Sequence, residues 1–202
     1  MIMKNRFLQL ACAAIITSIG FISCSKDSGT VTTITSTSVS SLNSAGSDGH
    51  FSFYSLETGQ QIASSDSATA KWDIAFRSTT ILINGGTSGP ANGGAFVQRG
   101  VTFDTYNTIS TDSTFKIDGI NGVVRAIPTG SGNGWYSYNF STDIISPIAG
   151  NILIVRTASG KYAKVEIQSY YQNAPTMPDA NSVSRYYTFR YVFQANGTKT
   201  FN

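Results

Sequence analysis

Two runs near the C-terminal end of the chain alternate between apolar and polar residues with a period of two, a pattern that a strand can bury on one side and a helix cannot. In 162–171, Ala163, Val165, Ile167 and Tyr171 fall on one face, and Lys164, Glu166 and Gln168 fall on the other. In 185–194, Tyr187, Phe189, Tyr191 and Phe193 oppose Thr188, Arg190 and Gln194. Each run reads as a half-buried antiparallel strand, and a slip of one residue in the second would carry its aromatic rings into water. The apolar run 152–156 and the turn Ala158-Ser159-Gly160 precede the first, as in a hairpin, and Asn196-Gly197 is the dipeptide a type I′ turn prefers. Upstream, Phe51 and Phe53 alternate with polar neighbours, and Trp72, Ile74 and Phe76 share a face. Helical periodicity of useful length is missing. The expected fold is therefore all-β, with antiparallel strands in two sheets.

The N-terminal residues read as an export signal and are set aside from the fold. Lys4 and Arg6 give a basic start, 8–22 is mostly apolar, and Ser23-Cys24 ends it. That run is too short and interrupted to span a bilayer, which needs about 20 apolar residues. A small residue before a cysteine suits lipoprotein processing, so 1–23 is expected to be a lipoprotein signal peptide and Cys24 the lipid-bearing first residue. The expected place is the outer membrane, at its surface or periplasmic face, with membrane contact through the lipid anchor alone. Residues 24–49, rich in Ser, Thr, Gly, Asn and Asp, bury too little to offset their ordering entropy and read as a flexible tether. Within it, 30–40 is β-branched enough for part to pair as an edge strand. The domain proper is expected over 50–202.

Side chains able to do chemistry are sparse. Only 12% of residues are charged, and of the 14 Lys and Arg residues two fall in the leader, so the rest nearly balance the 11 acidic ones. Nucleic-acid binding gains no support from that balance. His50 is the single histidine, which leaves a Ser-His-Asp triad without support and a side-chain zinc site without ligands. Cys12 lies in the leader, so no disulfide forms within the remainder. The only glutamates are Glu57 and Glu166, and Glu166 reads as solvated beside Lys164 and Gln168. An enzyme is not expected.

Two glycine-rich stretches, 84–94 (NGGTSGPANGG) and 129–134 (TGSGNG), lack the following helix and lysine of a phosphate-binding loop. They read as rim loops where backbone closely approaches a ligand or a neighbouring strand. Trp135, Tyr136, Tyr138 and Phe140 follow the second, and Tyr170, Tyr171, Tyr186 and Tyr187 bracket 172–184. Such rings either wall a flat ligand, a sugar or a porphyrin, or fill the core of a sandwich.

The order of motifs resembles the HmuY-type haem-binding lipoproteins of Gram-negative anaerobes. The motifs are Trp72-Asp73-Ile74-Ala75-Phe76-Arg77; Leu82-Ile83-Asn84-Gly85-Gly86 with Gly93-Gly94-Ala95; Gly134-Trp135; Val155-Arg156-Thr157-Ala158-Ser159-Gly160-Lys161-Tyr162; and Tyr187-Thr188-Phe189-Arg190-Tyr191. The resemblance spans about residues 50 to 195. It implies a hand-shaped all-β fold and a haemophore role in iron acquisition, taking haem from host haem carriers and passing it to an outer-membrane haem receptor. In the best-known member two histidines ligate the iron, one between the glycine loop and the Gly-Trp motif and one just after that Trp. Here 103–134 holds neither His nor Met, and Tyr136, Ser137, Tyr138, Asn139 and Phe140 follow Trp135. Some relatives use methionine thioethers, and Met177 lies in the loop 172–184. Three arrangements stay open: iron ligation by Met177 with a tyrosine such as Tyr136 or Tyr138, stacking of haem between aromatic walls, or loss of haem binding. The rival is a surface lipoprotein that binds glycan or protein through the aromatic, glycine-rich rim.

Overall fold

The two alternating runs are the longest strands of the computed structural model, which describes residues 34–46, 48–119 and 124–201. The leader 1–23, Cys24 and the tether up to residue 33 lie outside the described residues. In chain order the strands are β1 (Thr37–Asn43), β2 (Ser52–Ser55), β3 (Gln60–Ile62), β4 (Ile74–Arg77), β5 (Thr80–Ile83) and β6 (Gly94–Gln98). They continue with β7 (Tyr136–Asn139), β8 (Ile144–Pro147), β9 (Ile152–Arg156), β10 (Tyr162–Tyr171) and β11 (Ser184–Gln194). The larger sheet runs β1-β11-β10-β9-β6, the smaller runs β3-β2-β4-β5, and β7-β8 is a separate hairpin; every strand pair is antiparallel. The only helix among the described residues is a single 3-10 turn at Ser64–Asp66.

The sheets bury their facing sides against each other. Val165, Ile167, Tyr187, Phe189, Leu153 and Val155 from the larger sheet meet Tyr54, Ile74, Phe76, Ile81 and Ile83 from the smaller one. The ring of Phe76 packs on Tyr187 at 4.7 Å and stacks on Phe189 at 5.3 Å, so the aromatic face of β11 forms the middle of the sandwich.

β10 and β11 pair in strict register from Tyr162–Gln194 to Ile167–Phe189 and then depart from it. Gln168 is an extra residue on β10, and the bulge lets consecutive residues Ser169, Tyr170 and Tyr171 all be buried. Unbroken alternation would have left Tyr170 on the other face.

The segment expected as tether contributes β1, an edge strand paired with β11 from Thr37–Tyr191 to Asn43–Tyr186. Thr37, Val39 and Leu42 suit a strand, so residues 37–43 belong to the sheet and the expected tether boundary at residue 49 is too late.

Lys164 corrects a second expectation. It lies on the polar face of β10 but is only 3% exposed, because 99–118 crosses the outer side of the larger sheet as a strap. Phe103 and Ile109 of the strap, with Phe201, cover Ile152, Ile154 and Val192. The Lys164 ammonium donates to the carbonyls of Phe103 (2.7 Å) and Tyr106 (2.9 Å) and to Asn107 Oδ1 (3.4 Å). Glu166 is not simply solvated either: Arg190 Nε donates to it at 2.6 Å, while both guanidinium Nη atoms reach Asp104 at 3.1 Å. β9 is thus covered on both faces, which explains its unbroken apolar run. Asn196-Gly197 makes a turn with positive φ at Gly197 alone, not the type I′ hairpin turn. It returns the chain to the strap, where Ile109 N–H donates to Lys199 O at 2.8 Å and Phe201 N–H to Asn107 O at 2.8 Å.

The stretch 84–94 is glycine-rich because other backbone passes against it. A Cβ on Gly86, at φ +65°, would lie 1.9 Å from Asp118 O, and one on Gly85 would lie 2.2 Å from Gly93 O. Gly86→Ala is expected to cost about 3 kcal/mol in urea unfolding. Gly100→Ala, at φ +69° in open space, is expected to cost about 1 kcal/mol. Equal losses would contradict the packing role of Gly86.

Candidate functional site

The β4–β5 turn gathers three of the aromatic residues singled out from the sequence, Trp135, Tyr170 and Tyr187. Tyr187 Oη donates to Ser78 O at 2.8 Å, Trp135 Nε1 donates to Thr79 O at 3.0 Å, and Tyr170 Oη pairs with Ser78 Oγ at 3.3 Å. Trp135 lies 5.1 Å from Tyr187 and 5.7 Å from Tyr170, ring to ring. Burial pushes the phenols of Tyr170 and Tyr187 above their ordinary range, so both stay neutral. Of the two readings open for these rings, core filling describes Trp135, Tyr136, Tyr170, Tyr171 and Tyr187. Tyr136 is 8% exposed, with its ring 4.9 Å from Trp135.

The rim above this core is different. Tyr138, one pleat further along β7, is 40% exposed, and Phe140 at the tip of the β7–β8 hairpin is 86% exposed. Their rings meet edge-to-face at 6.5 Å. Tyr138 Oη donates to the carboxylate of Asp143 across the turn, and that bond holds the phenol proton and raises its pKa. Asp143 occupies the left-handed region at φ 57°, which Asp tolerates better than most residues.

A second segment adjoins the hairpin. Ile145 N–H of β8 donates to Tyr171 Oη at 2.9 Å, which ties the hairpin to the end of β10. The β10–β11 loop begins at the next residue, Gln172, and carries Met177, 86% exposed, and the exposed Val183. Pro128 abuts Gly134, where a Cβ would lie 2.2 Å from Pro128 O, so the segment running from Val124 meets the chain just before β7. Val124 and, at the end of the strap, Ile117 are also exposed. Among the described residues, the exposed large hydrophobic side chains are Ile117, Val124, Tyr138, Phe140, Met177 and Val183, and the last four belong to the hairpin and the adjoining β10–β11 loop. The structure thus joins the elements that carry Met177 and Tyr138, and it sets Tyr136 inside.

Sequence reasoning missed three buried polar residues that hold the scaffold. Asp73 Oδ2 accepts from Leu56 N–H at 2.7 Å and Oδ1 from Ala158 N–H at 2.8 Å, linking the two sheets. Asn84 donates to Trp72 O at 2.7 Å and Thr69 O at 2.9 Å. Asp118 accepts from Ala126 N–H at 2.9 Å and Ile83 N–H at 3.1 Å. Each sits in or against a glycine-rich or aromatic motif, and that company was the available signal. His50 lies away from this machinery, on a cleft of about 570 Å³ between the β1–β2 connection and β3.

The profile of the HmuY protein family matches residues 47–191. The chain belongs to the HmuY family. No curated protein matches it. Among solved structures, the apo form of a HmuY analogue from Tannerella forsythia shares 16% identity at a TM-score of 0.50, covering 80% of this chain and 95% of its own. A candidate lipoprotein from Bacteroides fragilis shares 16% identity at a TM-score of 0.50, covering 78% of this chain and 89% of its own. A candidate HmuY-like haem-binding protein from Bacteroides vulgatus shares 15% identity at a TM-score of 0.49, covering 80% and 92%. The all-β HmuY-like fold expected from the sequence is the fold observed.

Proposed function

We propose that this HmuY-family protein is a lipid-anchored, haemophore-like binder of haem or a related tetrapyrrole, serving iron acquisition and carrying out no catalysis. The observation that supports it is that Tyr138, Phe140, Met177 and Val183, four of the six exposed large hydrophobic side chains among the described residues, lie on the joined β7–β8 hairpin and β10–β11 loop. A flat, largely apolar cargo suits such a rim.

The donor set fits this cargo through one residue. The Met177 thioether is a soft donor suited to haem iron and stands free of the core. Tyr138 and Phe140 would supply a wall for the macrocycle, since the Tyr138 proton is held by Asp143. Tyr136 is too enclosed to act as a ligand without moving. Host haem carriers and an outer-membrane receptor would be the partners, and Cys24 would carry the anchor. The rival reading, a glycan or protein site on the aromatic, glycine-rich rim, loses the support of 84–94, whose glycines face neighbouring backbone or, at Gly89, the Asn84 and Trp72 side chains.

Met177→Ala leaves the fold unchanged, since the side chain is exposed. It is expected to weaken haemin binding about tenfold, about 1.4 kcal/mol, and to shift the Soret band. A variant with wild-type affinity and spectrum would remove Met177 as a ligand.

A further inference from the structure

The cleft beside His50 is formed by side chains that the haem reading does not use, and it lies within the size range of small-molecule sites, about 300–1,000 Å³. Its walls are preorganised. The Arg77 guanidinium sits 4.3 Å over the Phe51 ring, and Nη1 donates to Gly49 O at 2.8 Å, so one side chain fixes both the ring and the loop. The loop lies tightly on the Arg77 stem: a Cβ on Gly46, at φ +62°, would lie 2.6 Å from Arg77 Cγ. On its near side Ser44 is held by two backbone bonds of 2.8 Å, donating its N–H to Arg185 O and accepting Ser78 N–H.

The lining chemistry narrows the ligand. Asn43, Asp48, His50, Ser52, Gln61 and Ser64 surround the cleft together with Phe51 and Ile62, and neither Lys nor Arg lines it. The Asp48 carboxylate disfavours phosphate, sulfate and the propionates of haem there, and the nearest guanidinium, Arg77, is engaged by the Phe51 ring and Gly49 O. Asp48 Oδ1 accepts His50 N–H at 3.0 Å and Asn43 Oδ1 accepts Ala45 N–H at 2.9 Å, and among the described residues the Asp48 Oδ2 and the Asn43 amide NH₂ make no hydrogen bond. Planar carboxylate and amide groups beside an aromatic ring match a ligand that has many hydroxyls and one apolar face. We propose that this cleft is a second binding site, separate from the haem rim, for a neutral saccharide. The inference stands on the cleft alone and does not require that haem be bound.

The test is a two-dimensional NMR titration of the full chain with the methyl glycosides of glucose, galactose, mannose and N-acetylglucosamine. Each is taken to about 50 mM, enough to fill a site of millimolar affinity. At least one glycoside is expected to shift the signals of Asp48, His50, Phe51 and Gln61 saturably. The double variant Asp48→Ala/Gln61→Ala, at exposed positions, should keep its fold and bind that glycoside at least about tenfold more weakly, with haemin binding unchanged. Absence of shifts with all four glycosides, shifts confined to the Tyr138 rim, or full binding by the double variant would each overturn the proposal.

Discussion

Asp73→Ala is expected to destabilise the protein by about 3 kcal/mol, a large part of the roughly 5–15 kcal/mol that holds a domain of this kind together. The alanine would strand the Leu56 N–H, on the β2–β3 turn, and the Ala158 N–H, on the β9–β10 turn. Those turns belong to different sheets, so the carboxylate ties the sandwich together at one end. Thermal unfolding should fall by about 10 °C. Asp73→Asn should lose less, because the amide keeps one acceptor oxygen for one of the two donors. The loss also depends on pH. Burial raises the Asp73 pKa above its ordinary 3.8, against the opposing pull of the Ala158 and Leu56 N–H groups. The folded chain thus holds this proton more tightly than the unfolded one, and the corresponding stability is complete below pH 3.8 and lost as pH rises through the folded value. The gap between wild type and Asp73→Ala in urea should be widest below pH 3.8 and should narrow as pH rises toward neutrality. A gap that widened with pH would contradict the assignment.

Lys164→Ala is expected to cost a further large amount, about 3 kcal/mol, by removing the donor that three strap acceptors share, the ammonium that faces the Phe103 and Phe201 rings, and a buried alkyl stem. Lys164→Met should cost only about 1 kcal/mol. The thioether chain preserves the packing, and burial already lowers the lysine pKa, a sign that its charge opposes folding. Hydrogen exchange locates the effect. In both variants amides of the strap, such as Ile109, should exchange faster while those at the centre of β10 and β11 keep their protection. Uniform loss of protection would mean that the strap and the sheet unfold as one unit.

These two residues show how far the sequence could be read. Alternation in 162–171 and 185–194 marked the strands and the aromatic face that fills the sandwich, because a strand's period depends only on its own residues. It also put Lys164 opposite Val165 correctly. It could not show that the strap returns to cover that second face, since covering depends on contacts some sixty residues away in sequence. Asp73 was legible as part of a motif but not as a link between sheets, for the same reason. The bulge at Gln168 left no trace in composition, and it decides that Tyr170 as well as Tyr171 turns inward.

The candidate site divides along a similar line. Tyr136 and Tyr138 are equivalent by sequence, two residues apart on one face of β7, yet the position of the strand end leaves only the second at the surface. Met177 was recognisable because it is a soft donor in a polar loop. That the β7–β8 hairpin adjoins its loop rests on the bond between Ile145 and Tyr171, which no local pattern encodes. The cleft beside His50 was invisible, being assembled from residues of the β1–β2 connection and β3.

The most direct test of the haem reading uses the paramagnetism of ferric haem, which broadens the NMR signals of nearby nuclei. One equivalent of haemin added to the full chain should broaden the amides of Tyr138, Phe140 and the loop 172–183 and leave Asp48, His50 and Gln61 sharp. Broadening centred on His50, or haemin that leaves every signal sharp, would contradict binding at the exposed apolar rim.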